Sequence, residues 1–379
     1  MLEDSHPMTS LDRRSLPKLM FLLLAGLCGI GSWTFGASIE RRLYVAAPGI
    51  RDYLEFGGHG ILVFDIDHDY RFVRRIPAAG LNDAGKPMNV KGIAASVPGQ
   101  RLYVTTLTQL ACYDLRTEQR LWERAYEGGC DRLAVSPDGR SVVVPSLEKS
   151  FWNLLDPETG DVRKRFDGFK AAHNTIVSLD GERAFLADRY SPWLTEIDLA
   201  KGEAVGKTGP FSNPIRPFTV DGRRRRTYVC VDDLLGFEIG DLATGKKLHR
   251  VEVQGFAKGP VKRHSCPSHG VGLTPDESQV WVVDATNQRL HVFDNTVEPP
   301  RQVASLEVRE QPGWITFRLD GRHAWPSTGE VFDVATRRKV AALADETGAA
   351  VHSEKMIEIH VLDGRVVAAG DQFGLGRRR

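Results

Sequence analysis

The segment RHSCPSHG, residues 263–270, gathers a guanidinium, two imidazoles and a thiol within eight positions. His264, Cys266 and His269 are ligand types that suit zinc or copper, and the spacing H-x-C-x-x-H is short enough for a local chelate of a divalent transition metal. Pro267 stiffens that spacing, and no second Cys/His pair is at hand to complete a four-ligand structural site. Arg263 and the two histidines would also lower the pKa of a Cys266 thiol and make it reactive. A third expectation needs neither metal nor thiolate: Arg263, His264, Cys266 and His269 form one wall of a ligand site. Against all three stands a solvated loop in which His269 bonds to nearby backbone.

Other chemistry-bearing residues are scattered, and only a fold can gather them. Glu354 and Lys355 are adjacent and suit an acid/base couple or a surface salt bridge. GIRDYLEFGGHG (49–60) carries Arg51, Glu55 and His59 among glycines whose backbone amides could face a ligand; the alternative is a flexible hairpin connection. The run RRRR at 223–226 sits in a turn without an aromatic platform, which fits a solvated tip better than nucleic-acid binding.

The positioning framework is a repeat. LAVSPDGRSVVVPS (133–146) recurs as IAASVPGQRLYVTT, IVSLDGERAFLAD, FTVDGRRRRTYVCV, VGLTPDESQVWVVD and ITFRLDGRHAWPST. Turn positions 99, 139, 181, 222, 277 and 321 lie 40, 42, 41, 55 and 44 residues apart, so the period holds with one insertion. Asp-Gly supplies the positive φ that a two-residue hairpin turn needs, and alternation on either side marks half-buried strands. A second hairpin follows each time, as in WNLLDPETGDVRKRF and TEIDLAKGEAVGKT. Four strands per unit without helical periodicity predict an all-β, WD-like seven-bladed β-propeller, residues 39–379 forming one domain. LYVA and ILVFDID near the N-terminus combine with MIEIHVLDGRVVAAG near the C-terminus to close the ring, leaving no open edge. Eight blades is the alternative, if VVAAG starts a blade of its own.

Rotational equivalence then makes a ring of positions. Five residues before Ser136 and its counterparts lie Lys91, Asp131, His173, Pro214, His269, Gly313 and Met356, the expected starts of the innermost strands. Their neighbours Asn174, Arg216, Trp314 and Lys355 join them at one mouth of the channel, where propeller loops converge on a concavity. The 55-residue interval arises from QGFAKGPVKRHSCPS, directly before His269 and hence at the same mouth. Lys91, Arg216, Arg263 and Lys355 converging there favour a carboxylate or phosphate ligand, and the few carboxylates argue against calcium.

SPDGRSVVV followed by a D-x-x-T-G turn resembles the YVTN-repeat β-propeller family and, more loosely, the lactonase-like and amine-dehydrogenase large-subunit propellers. The resemblance spans residues 40–374. RHSCPSHGVGLTPDE, QPGWITF, PSTGEVFDV, SEKMIEI and AGDQFG look like signatures of an exported bacterial subfamily. It implies the fold strongly and the activity weakly, since propellers host unrelated functions. An exported binding or interaction protein is the first expectation; a lactonase-like hydrolase, or a metal- or redox-associated enzyme subunit, is the alternative. The chain contains no CxxCH, so covalent haem of the common type is not expected.

Bulk properties set limits. The 379 residues are 41% hydrophobic and 26% charged, ample for a core. Lys and Arg number 50 against 49 Asp and Glu, so no global field recruits nucleic acid or an anionic membrane. Arg13, Arg14 and Lys18 precede the apolar run at 19–30, which predicts a signal peptide over 1–38, of twin-arginine type if DRRSLPK is read so. A periplasmic or extracellular monomer is expected, touching membrane only if that leader stays uncleaved. Cys112, Cys130, Cys230 and Cys266 follow the leader; Cys112 and Cys230 alternate as buried hydrophobes would, while a Cys130–Cys266 disulfide is left open.

Overall fold

The computed structural model describes residues 38–78, 80–260 and 266–378. The expected leader, apart from Ser38, lies outside these residues, as do Arg263 and His264. Among the described residues, strands form seven antiparallel sheets arranged as a β-propeller, and the one helical turn is the 3-10 segment Leu54–Phe56.

Each sheet after the first is a meander of four strands running outward from the channel. Blade 2 comprises Val90–Ser96, Arg101–Thr106, Gln109–Asp114 and Arg120–Ala125; blades 3 to 7 occupy 134–166, 172–208, 215–252, 271–307 and 315–342 in the same order. Neighbouring sheets cover both faces of the inner three strands, which explains continuous apolar runs such as TYVCV and VWVVD in place of strict alternation. Outer strands face solvent: Val162–Phe166 is exposed along all but its last residue. Lys and Arg interleave with the apolar residues of these edges, a pattern that discourages edge pairing with another chain. Apolar clusters fill the clefts between blades, as where Tyr44 and Val63 meet Ile93, Leu102 and Val104, and Phe237 meets Val280 and Phe293.

The repeat glycines act in turns wider than a two-residue hairpin. Gly139 N–H donates to Ser136 C=O at 2.8 Å, and Ser136 N–H to Ser141 C=O at 2.9 Å. Positive φ is confined to Gly139, at 69°. Asp138 secures the turn by accepting from Ser136 Oγ and Arg140 N–H. Ser178–Asp180 and Thr274–Asp276 repeat this bond, so the side-chain bridge carries the conformation that the two-residue reading assigned to Asp-Gly alone.

Blade 1 closes the ring with strands from both ends of the domain, in the order Arg365–Ala369, Met356–Leu362, Glu40–Ala47, Gly60–Asp65 and Arg71–Ile76. Tyr44 pairs with Ile357 across the junction. VVAAG therefore begins no eighth blade: it folds back on Met356–Leu362 as a fifth strand of the same sheet, nearest the channel.

From there the chain crosses the channel. Gln372 Oε1 accepts from Ile93 N–H at 3.2 Å and Nε2 donates to Leu133 C=O at 2.9 Å, tying blade 2 to the entry of blade 3. Gly374 C=O accepts from Leu273 N–H at 2.8 Å and Thr219 Oγ1 at 2.7 Å, in blades 6 and 5. Phe373 and Leu375 are buried in the core shared by blades 3 to 5. Glycine is needed at this crossing: Gly374 has φ of 59°, and a Cβ there would come within 2.9 Å of Gly272 Cα.

Candidate functional site

At the mouth where the innermost strands begin, three blades share one irregularity. The pairing slips between Val90 and Gly92, between Ala172 and Asn174, and between Ile215 and Phe218. Lys91, His173 and the pair Arg216–Pro217 are left out of register. A bulge lets a side chain leave the alternation of its strand, so three of the expected site residues are the re-aimed ones.

Asp131, buried, binds two of its neighbours. Its Oδ1 lies 3.3 Å from Lys91 Nζ and its Oδ2 2.8 Å from His173 Nδ1. Burial opposes the charge on Asp131, but Lys91 and His173 outweigh it and hold the carboxyl well below the usual carboxylate range. Burial lowers the His173 pKa in spite of Asp131, and Arg216 and Lys91 push the same way, so the imidazole is neutral at pH 7. With Nδ1–H given to the carboxylate, the lone pair stands on Nε2, which is buried and has no hydrogen-bond partner among the described residues.

Asn174, next in the chain, and Arg216, near enough to lower the His173 pKa, carry donors in the same condition: Asn174 Nδ2 and Arg216 Nε and Nη1 are buried without an acceptor among the described residues. Arg216 is 3% exposed; its Nε is 3.4 Å from Asp232 Oδ1 but is not aligned for a hydrogen bond. Burial lowers its pKa, with Asp232 opposing.

The other half of the mouth is a closed network centred on Arg132, a residue the repeat count passes over by one position. Arg132 reaches from blade 3 across the channel. Its Nη1 donates to Glu354 C=O and its Nη2 to Glu354 Oε2, both at 3.2 Å, and its Cζ lies 3.3 Å over the Trp314 ring. Burial brings its pKa down to about 10, with Glu354 and Asp131 pulling upward. Lys355 Nζ donates to Glu354 Oε2 at 2.8 Å and Gly49 C=O at 2.9 Å. Burial takes this ammonium down to about 7 against the pull of Glu354. Glu354 and Lys355 are thus a buried pair rather than a surface salt bridge, and the glycine-containing 49–60 segment faces the site with a carbonyl instead of an amide. His269 Nδ1 lies 3.2 Å from Gly313 C=O, and its ring is tilted against Trp314.

Cys266 stands apart from this chemistry. Its thiol shares its one proton between Val231 C=O at 3.2 Å and Ser268 C=O at 3.1 Å within the core between blades 5 and 6. Burial, then Cys230, raises its pKa, the opposite of an activated thiol. Cys112, Cys130, Cys230 and Cys266 are all free thiols, so no Cys130–Cys266 bridge is formed. Among the described residues no three His, Cys, Asp or Glu side chains gather as a metal would require. Asp371 and Gln372 belong to the channel crossing, and the arginine run 223–226 disperses into separate pairs: Arg224 with Asp180 and Glu182, Arg226 with Glu298. A further Asp–His–Ser series, Asp284–His291–Ser305, cross-links three strands of blade 6 around a fully buried imidazole.

The tail and the Arg132–Trp314 stack meet: Trp314 Nε1 donates to Gln372 C=O at 2.5 Å. Beside the tail is a cavity of about 330 Å³, largely apolar, lined by Ile93, Ala134, Val177, Ile357, Phe373 and Leu375 among others.

No family model and no curated protein matches the chain. Among solved structures it is similar to the β-propeller domain of Myceliophteria thermophila Cps50 (Swd1), with a TM-score of 0.55 and 14% identity over 74% of this chain and 90% of that one. At that identity the likeness extends to the fold alone.

Proposed function

We propose that the protein is an exported binding module that holds the anionic group of a small molecule at the channel mouth, through Arg216, Lys91, Asn174 and His173, with Lys355, Trp314 and His269 as the supporting wall. The observation that carries this reading is the set of buried donors on Arg216 and Asn174 that find no acceptor among the described residues. Each orphaned buried donor costs about 1–3 kcal/mol, and a ligand oxyanion would remove that cost. The burial of Asn174 and Arg216 favours a small molecule over the flat surface of a partner protein. Single exposed apolar residues on charged outer strands favour a monomer. The basic residues ahead of the apolar run at 19–30 favour delivery to the periplasm or beyond, which N-terminal sequencing of protein recovered there would check.

Titration calorimetry with inorganic phosphate, sulfate and small carboxylates tests the site. Arg216→Gln and Lys91→Ala should each weaken a bound anion by about 1–3 kcal/mol, the worth of a charge-assisted hydrogen bond. Failure of every anion to bind, or equal binding by both variants, would overturn the reading.

A further inference from the structure

Arg216 and Asn174 account for the negative charge of a ligand but leave His173 unexplained. Its Nδ1–H is committed to Asp131, 2.8 Å away, and its Nε2 is a buried acceptor without a donor among the described residues. A bare oxyanion placed among these groups would set its own lone pairs against that of Nε2. Two acceptors facing each other repel, and each loses the donor that water had supplied.

Resting on the anion-binding reading of the mouth, we propose that the bound oxyanion carries an O–H of its own, as a hydrogen phosphate or an α-hydroxycarboxylate does, and that His173 Nε2 accepts its hydrogen bond. Arg216 and Asn174 then take the charged oxygens, while Asp131 serves as a positioning residue that fixes the tautomer. Lys91 fixes Asp131 in turn: the ammonium is 3.3 Å from Oδ1, so Oδ2 is the oxygen left for the imidazole. Every member of the chain Lys91–Asp131–His173 thus has one assigned direction of donation, and that direction ends in an acceptor aimed at the ligand.

Two matched pairs of anions read this out by calorimetry in mildly alkaline buffer. Phosphate and sulfate agree in charge and shape there, but only phosphate keeps a proton; glycolate and acetate differ likewise by one hydroxyl. The wild-type protein should prefer phosphate over sulfate, or glycolate over acetate, by about tenfold, one hydrogen bond to a polar partner. The pair that shows the preference identifies the source of the O–H. Asp131→Asn supplies a sign test. Lys91 would hold the amide oxygen and turn the NH₂ toward His173 Nδ1, moving the imidazole proton to Nε2. Nε2 becomes a donor, and the preference should reverse toward sulfate or acetate. A purely structural role for Asp131 would weaken both members of a pair alike, and that result overturns the assignment. Equal wild-type affinities within both pairs overturn the proton-bearing ligand while leaving the anion site standing; no binding of any of the four removes both. If Asp131→Asn fails to fold, the wild-type pairs decide alone.

Discussion

Phe373→Ala tests whether the crossing tail is part of the core or merely lies on it. Phe373 is 4% exposed and belongs to the same apolar cluster as Ile176, Ile215 and Phe218 of blades 4 and 5. The cavity beside it is already about 330 Å³, so truncation enlarges a space that rigid sheets cannot collapse into. A buried Phe→Ala change costs about 3–5 kcal/mol, and incomplete collapse favours the upper part of that range. Val367→Ala, at a position 43% exposed two residues before the end of the preceding strand, is the control and should stay within about 0.5 kcal/mol. Urea unfolding followed by tryptophan fluorescence is a suitable assay, because the Trp314 indole is hydrogen-bonded to the tail at Gln372. An unchanged m-value with a lowered midpoint is the expected form of the result. A loss below about 1 kcal/mol would refute the packed tail, since no buried phenyl ring can be removed so cheaply from an unrelaxed core.

Lys355→Met addresses pH. Burial holds the folded-state ammonium at about 7, whereas the unfolded chain keeps its proton to about pH 10.4. Between those values the unfolded state binds the extra proton, so wild-type stability should rise with pH over that window by up to a few kcal/mol. Below about pH 7 the penalty is fully present. The Met variant keeps Glu354, Arg132 and Lys91 nearby but should lose this rise; equal slopes for the two proteins between about pH 6 and about pH 9 would contradict the burial argument. Cys112, Cys130 and Cys266, buried with raised pKa values, and Cys230, buried beside Cys266, should resist alkylation in the native protein and react in denaturant, as mass spectrometry of labelled peptides would show. Gly313→Ala should disturb the mouth without adding or removing a charge, because a Cβ there would fall 2.3 Å from Glu354 Oε1; a shift in Arg132 and Trp314 visible in the near-UV circular dichroism is expected, and an unchanged spectrum would count against the Arg132–Trp314 stack.

The blade count and the ring of strand starts could be read from residue order because their causes are local. In blades 3 and 4 an Asp two residues after Ser, with Gly next, fixes a turn through contacts among six consecutive residues, and turns at that place in every repeat set the period. Rotational symmetry then carries Lys91, Asp131, His173 and His269 to one mouth without knowledge of any long-range contact. Whether those residues bind anything is a separate question that neither the period nor the fold answers. The direction of each side chain was not legible. It depends on register slips at Lys91, His173 and Arg216, and a slip of one residue sends a side chain to the other face with no change in composition. Cys266 shows the same limit: its neighbours in sequence suggest activation, but its neighbours in space are carbonyls and apolar side chains. Arg132 and the tail lie furthest from reach, because the Glu354 partner of Arg132 is more than two hundred residues away and the partners of Gln372 are in other blades. Local turn chemistry decided how many sheets there are; only the closed ring, which brings distant segments onto a common axis, decided what fills its centre.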